Sequence, residues 1–491
     1  MNLADDRLKE LDNPSLTAEE RVLLRCRVAA DLNYAGQYEA AREALGEHWR
    51  GVGERPNVEG LGEWAAAEVL LQAGVLSGWL GKVKGAQEAA KDLISESAAL
   101  FERLGEPNRV AAARADLALC YWREGAYDEA RAALETAAAL IEDDAELKAK
   151  AALRFAMIES SAGRHGDTLR LLTDAAPLFG EGVNHGLRGS FHNELAIALY
   201  FLGKAERQAD YTDRAILEYT AAAYHFGLAR HESYVARIEN NLAFLLYKLG
   251  RYGDAHEHLD RAQSIVTLLR DAASLAQVDE TRARVLVAER KYREADRTLA
   301  GALKTLEQGD ASALLAGALT VQGVVWARLW AYEESISVLR RAADVAEAVG
   351  ALSDAGQAIL TLIEEHGATK RLTPAEVSDA YLRADRLLRR TQDVEDKERL
   401  LAGARVLIRR LSDTPIHDKN FSLYGAVHEF EAKLIGQALD ESGGSVTRAA
   451  RILGLSHQTL IAILGTRHKT LAAKRTPAQK RLKSIIKKPK A

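Results

Sequence analysis

The stretch GGSVTRAARILGLSHQTL, Gly443 to Leu460, gathers the side chains of this chain best placed to do chemistry. It reads as a short helix, a three-residue turn and the start of another helix, the outline of a DNA-reading helix-turn-helix. Its hydroxyls, guanidinium groups, imidazole and amide offer hydrogen bonds and charge, not covalent catalysis. Of the chain's 66 Lys and Arg, twelve lie between Gly443 and Ala491, a segment with none of the 70 Asp and Glu. The other 442 residues therefore hold 54 basic and 70 acidic residues, so a segment of net +12 follows a body of net −16. A basic tail implies a polyanion partner for itself, and the acidic body excludes one for the rest.

Other chemistry is missing from the pattern. GWLGKVKG (78–85) lacks the spacing of a phosphate loop, and its Lys is not followed by Ser or Thr. FGEGVNHGLRG (179–189) is glycine-rich, but no strand precedes it. His256 and His258 stand two apart on a helix, hence on different faces, which disfavours a metal pair. Cys26 and Cys120 sit inside helical patterns and are expected as buried thiols. No nucleophile elbow or kinase motif is visible, so neither an enzyme nor a cofactor is expected. The amino terminus MNLADDRLKELDNPS has no apolar core, and no run approaches eighteen apolar residues. The expectation is a cytoplasmic chain without signal peptide or membrane span.

The elements around the stretch are legible from capping and periodicity. LYGAVHEFEAKLIGQALDESGG predicts a helix with Leu423, Val427, Phe430, Leu434, Ile435 and Leu439 on one side, ended by Gly443-Gly444. Ser445 is placed to cap a second helix that buries Ala449, Ala450 and Leu453. Gly454 ends it, Leu455 fills the turn, and Ser456 caps a third helix whose Leu460 and Leu464 pack inward.

From Glu429 to Leu464, through FEAKLIGQAL, GG, RAARILGLS and TL, this segment resembles the Fis-type helix-turn-helix of bacterial regulators. The resemblance implies a third helix in the DNA major groove with its first residues at base edges. His457, Gln458 and Thr459 are then the readers; a Gln amide can bond adenine twice, and a Thr methyl can touch thymine. Thr447, Arg448, Arg451 and Ser456 would meet phosphates. The sequence departs from the family where Arg or Lys usually follows the Thr-Leu pair, for Ile461, Ala462 and Ile463 stand there. Either that patch packs on a partner helix or the charge has moved downstream, and displacement is favoured. Arg467, Lys469, Lys474 and Arg475, with the rest of KRTPAQKRLKSIIKKPK, would then supply backbone affinity.

The body is repetitive. GQYEAA (36–41), GAQEAA (85–90), GAYDEA (125–130), GRHGDT (163–168), DYTDRA (210–215), GRYGDA (250–255), RKYREA (290–295) and WAYEES (330–335) recur, with four of seven spacings equal to 40 residues. Each window joins two amphipathic helices. Before Tyr252 the apolar face is Val235, Ile238, Leu242, Leu245, Leu246 and Leu249; after Tyr127 it is Ala130, Leu134, Ala137 and Ile141. The aromatic fills the corner, and the small sixth residue lets the helices approach. Over residues 17–350 these windows resemble the tetratricopeptide repeat, with a longer period than the family's usual one and degenerate second, fourth and fifth units. The resemblance implies a concave groove lined by Trp122, Arg123, Asn193, Tyr200, Arg237, Asn240, Tyr247, Lys248 and Arg284, suited to a partner protein, peptide or signal.

The expected fold is all-α, a superhelical solenoid of antiparallel helix pairs followed by a small helix-turn-helix domain. The repeat domain is placed at residues 1–370 and capping or dimerisation helices at 371–411, with Thr373, Pro374 and Glu376 starting the first. A linker at 412–420, the helix-turn-helix at 421–473 and a basic tail at 474–491 follow. The implied function is DNA-bound regulation by a homodimer under control of the groove, the alternative being an interaction scaffold whose helix-turn-helix serves docking.

Overall fold

A computed structural model describes residues 15–81, 85–180, 182–309, 312–389, 393–412 and 422–474, and every regular element among them is helical. The chain divides into two compact units, Met1–Ile408 and Arg409–Ala491.

The first unit is a stack of antiparallel pairs: α1 (Ala18–Tyr34) with α2 (Tyr38–Leu45), α3 (Glu63–Leu80) with α4 (Ala86–Leu104), α5 (Pro107–Arg123) with α6 (Tyr127–Ala138), and α7 (Ala145–Ser161) with α8 (His165–Ala175). It continues through α9 (His185–Glu206) with α10 (Ala209–Leu228), α11 (Glu232–Lys248) with α12 (Tyr252–Leu268), α13 (Ala272–Ala288) with α14 (Tyr292–Gln308), and α15 (Ser312–Arg328) with α16 (Tyr332–Ala348). A further pair that no recurring window marks, α17 (Leu352–Leu362) with α18 (Pro374–Leu388), prolongs the stack, and α19 (Val394–Ser412) follows. Thr17–Glu20 and Thr373–Glu376 form complete capping boxes at the starts of α1 and α18.

The 40-residue period has a simple cause. From α11 to α16 each helix is 17 residues long, and a new one starts every 20 residues. The joint residue takes the left-handed conformation: Gly250 and Gly350 (φ 74° and 76°), but also Arg230, Arg270, Arg290 and Trp330 (φ 56°, 55°, 62° and 69°). The next amide then reaches back to close the helix end, as Lys291 does on the Leu286 carbonyl at 2.8 Å. The geometry is kept even where the sequence supplies a residue that pays a steric penalty there. The sixth window position is fully buried in all eight windows, at Ala41, Ala90, Ala130, Thr168, Ala215, Ala255, Ala295 and Ser335. A larger side chain at these crossings would force the two helices apart. The expected apolar face of α11 is covered at Ile238, Leu242, Leu245 and Leu246, while Leu249 is exposed at the helix end. Both cysteines are buried free thiols, and burial pushes them up, Cys26 to about 12 and Cys120 to about 11.

The stack curls back on itself. The Tyr34 ring lies edge-on to His231 with centroids 5.4 Å apart. Gly186 and Gly36 leave room for Tyr34 and Tyr234, since a Cβ on Gly186 would come within 2.7 Å of the Tyr34 ring. The first joint thus reaches α9 and α11.

The second unit comprises α20 (Leu423–Glu441), α21 (Val446–Ile452) and α22 (His457–Thr466), followed by a 3-10 segment, Lys469–Lys474. Its core is Ile435, Ala438, Leu439, Ala449, Ala450, Leu460, Ile463 and Leu464, flanked by Val446, Leu453 and Leu471. Among the described residues no helix is long and apolar enough to cross a membrane.

Candidate nucleic-acid interface and repeat groove

Two closures set the angle at which α22 is presented. Gly443 and Gly444 both have positive φ, which lets the Gly444 amide reach the Leu439 carbonyl at 2.8 Å. Gly454 (φ 66°) does the same for α21, with Leu455 bonding back to the Ala450 carbonyl at 2.8 Å. Both are glycine-dependent closures of a helix end. Ser456 then caps α22, its hydroxyl accepting from the Thr459 amide at 3.0 Å and lying 2.7 Å from the Thr459 hydroxyl. Ser445 occupies the corresponding place before α21, but its side chain makes no capping bond. The turn is less filled than expected, for Leu455 is 37% exposed.

His457, Gln458 and Thr459 are exposed together on the first turn of α22, and Thr447, Arg448 and Arg451 are exposed on α21. Ser456 is committed to the cap, which leaves Thr459 to present chiefly its methyl. The presumed Ile461-Ala462-Ile463 surface patch does not exist as a unit. Ile463 lies three residues after Leu460, on the same helical face, and is buried with it, leaving Ile461 (40% exposed) and Ala462 outside. The downstream cations fold back onto α20. Arg467 pairs with Glu431 at 3.2 Å and Lys474 with Asp440 at 2.7 Å. His468 is buried against Glu431 (3.0 Å) and the His428 ring (4.2 Å). Lys469 is exposed, and Arg475 lies outside the described residues with the rest of the basic tail. On α20 the single apolar side expected from the sequence divides in two. Ile435 and Leu439 are core, whereas Val427, Phe430 and Leu434 are 58%, 56% and 41% exposed, and Tyr424, outside the expected side, is 73% exposed.

Residues 426–462 match the model of a family described as bacterial regulatory protein, Fis family. The second unit carries a Fis-type helix-turn-helix. His457, Gln458 and Thr459 are the first three residues of its third helix. The repeat unit is a tetratricopeptide-like solenoid, an architecture that stands on its helix pairs. Solved structures similar to the chain include a Rap protein complexed with competence and sporulation factor: 16% identity, 75% of this chain, 100% of that one, TM-score 0.46. Another is aspartyl phosphate phosphatase F from Bacillus subtilis, with 11% identity, coverage of 78% and 97%, and a TM-score of 0.48. Yeast Tom70 shares 13% identity over 84% of this chain and 86% of its own, with a TM-score of 0.43. No curated protein sequence matches the chain.

The residues expected to line a groove fall into two sets. In the first, the Arg123 guanidinium lies 3.7 Å over Trp79, which stacks on Tyr38. Its Nε and Nη2 have no hydrogen-bond partner. Trp122 donates to the Ser161 hydroxyl at 2.8 Å, and Arg237 lies 4.3 Å over Tyr234. Asn193 and Asn240 are 8% and 6% exposed, and the Oδ1 of each is unpartnered. Beside them is Glu194, which the sequence reading missed. Burial pushes its carboxyl up to about 7 against the lowering influence of the Arg237 charge and the Asn193 bond.

The second set is already engaged. Arg284 bonds Glu280, and Lys248 pairs with Glu395 at 3.2 Å. Lys204, also missed, bonds Asp393 at 3.0 Å and Glu395 at 2.8 Å. Burial would raise the Glu395 carboxyl, but the Lys204 bond and the Lys248 charge hold it at about 2. Tyr200 and Tyr247 pack against the apolar core of the neighbouring repeats. His256 and His258 go their separate ways, to Glu289 at 2.9 Å and Glu239 at 2.6 Å.

Proposed function

We propose that the chain is a sequence-specific DNA-binding transcription regulator of the bacterial cytoplasm, without enzymatic activity, whose solenoid receives a protein or peptide and controls the Fis-type unit. The observation that supports it most is the joint exposure of His457, Gln458 and Thr459 on the first turn of α22, positioned by glycine-closed turns. On this reading Gln458 bonds a base edge, Thr459 offers its methyl, and Arg448 and Arg451 meet phosphates. The orphaned Oδ1 atoms of Asn193 and Asn240 and the unpaired guanidinium nitrogens of Arg123 suit the backbone and carboxylates of a bound segment.

The regulator is a homodimer on this account. One short helix gives little affinity, and two Fis-type units would occupy half-sites about 34–36 Å apart. The Tyr424, Val427, Phe430 and Leu434 stripe, exposed on α20, is the surface for the second copy; replacing Val427 and Phe430 with Asp should yield monomers by analytical ultracentrifugation. The DNA reading itself is tested by His457→Ala, Gln458→Ala and Thr459→Ala together. Sequence preference should vanish while general DNA affinity falls less than tenfold.

A second reading, the scaffold, draws support from Ile461 on the outer face of α22 and from Arg467 and Lys474 being held by Glu431 and Asp440. It predicts no sequence preference in the unaltered chain.

A further inference from the structure

Residues 393–398 are held against the ends of α9 and α11 by ion pairs. Helix α19 has little backbone contact with the stack and is attached through side chains. Arg399 bonds Glu364 at 2.7 Å and the Thr361 hydroxyl at 2.9 Å. Leu400 and Val406 pack on the last repeats, while Leu401, Ile408 and Leu411 are exposed. Its opening residues, DVEDKER (393–399), run to distant parts of the stack. Asp393 and Glu395 meet Lys204, Glu395 also meets Lys248, and Glu398 meets Arg207 at 2.7 Å. These pairs join residues 147 to 191 apart in sequence. Asp396, 2% exposed, lies 3.4 Å from the Ser353 hydroxyl.

We propose that Lys204, Arg207 and Lys248 form a receptor strip for a carboxylate-rich protein segment, and that residues 393–398 occupy it until a partner's acidic segment takes their place. The inference rests on the proposed reading that the groove receives a partner, and it names that partner's chemistry. Three cations on α9, its end and α11 are spaced along one path, and each is met by a carboxylate of a single helical turn and its approach. The occupant is tethered, so it competes at high effective concentration. Its outermost pair, Arg207 with Glu398, is exposed and therefore weak and salt-sensitive, so displacement can begin there and proceed to the part-buried Lys204 pairs. A cleft of about 1230 Å³ adjoins the same place, lined among others by Tyr127, His165, Phe201 and Lys204 and bounded by Asp393 and Val394. An incoming chain can therefore approach Lys204 before α19 has left. A protein segment fits better than nucleic acid because the body around the strip is net acidic. Release of α19 alters the segment that leads covalently into the Fis-type unit, which links groove occupancy to DNA binding.

The test uses the full chain and a fluorescent peptide of residues 393–412. Glu395→Lys with Glu398→Lys should empty the strip and raise hydrogen exchange of the α19 amides at least tenfold, with α9 and α11 unchanged. That variant should bind the peptide at least tenfold more tightly than the unaltered chain does. Adding Lys204→Gln and Lys248→Gln should abolish the binding. The single exchange Lys248→Glu with Glu395→Lys should restore much of the α19 protection. Equal affinity of peptide for emptied and unaltered chains would overturn the proposal, as would no binding to either. So would a single-stranded oligonucleotide that binds the emptied strip more tightly than the peptide. Because none of these readouts involves duplex DNA, failure here is separable from failure of the regulator reading.

Discussion

The solenoid and the Fis-type unit solve the same packing problem in opposite ways. In the solenoid the solution is repeated: a fully buried small residue in each of the eight windows and, from α11 to α16, a 20-residue step with left-handed residues at the described joints. Each repeat leans only on its neighbours, so stability is spread over many similar interfaces. The Fis-type unit has one core of eight buried residues and two glycine-closed turns. Repetition makes the solenoid tolerant, as shown by Arg270, Arg290 and Trp330 standing where glycine stands elsewhere. The small unit has a single core among the described residues, and the angle of its third helix depends on every part of that core.

That contrast is broken most easily at the small core. Leu460→Ala should cost about 2–5 kcal/mol, enough to unfold a unit of this size and abolish DNA binding. Leu259→Ala, equally buried in the solenoid, should cost a similar amount yet loosen only the neighbouring repeats. Hydrogen exchange of both units in the full chain reads the difference, and equal spread of the two effects would refute it. Next in size, Ala255→Leu overpacks a crossing and should lower stability by about 1–3 kcal/mol, with α11 and α12 exchanging first.

The third prediction concerns Glu194 and pH. Its folded-state value of about 7 stands above the ordinary 4.5, so the folded chain holds a proton that the unfolded chain releases. Stability is fully present below about pH 4.5, declines as pH rises toward 7, and is flat beyond. Glu194→Gln removes the decline and should raise stability by about 1–3 kcal/mol at pH 8, with little change at pH 4.5; melting curves at both values test it. The smallest effect is at the joints. Arg290→Gly and Trp330→Gly relieve left-handed strain at some cost in unfolded-chain entropy, for a net gain of about 0.5–1 kcal/mol each.

The sequence carried the repeat frame well because joints and crossings obey local rules. A residue that must be small, six places into a window, is visible without knowing what it touches. Helical periodicity shows which residues share a face but not whether that face is covered. Hence Val427, Phe430 and Leu434 read as core although they are exposed. Ile463 was legible in principle, three places after Leu460, yet its apolar neighbours suggested a patch. The pairing of Arg467 and Lys474 with α20, and of Lys204 and Lys248 with the start of α19, depends on chain reversals and long-range curl that no local pattern encodes. Glu194 was missed for the same reason, since its environment is built by Arg237, Asn193 and the surrounding repeats.

The most direct test of the central claim is selection from a randomised duplex pool by the full-length protein at about 150 mM salt, with the bound fraction sequenced. An enriched inverted repeat with half-sites one helical turn apart, lost when His457, Gln458 and Thr459 become Ala, is the predicted result. If about six cations meet phosphates, log affinity should also fall against log salt with a slope near −5. Bound DNA without enrichment, or no bound DNA, would contradict the claim and leave the Fis-type unit a docking module.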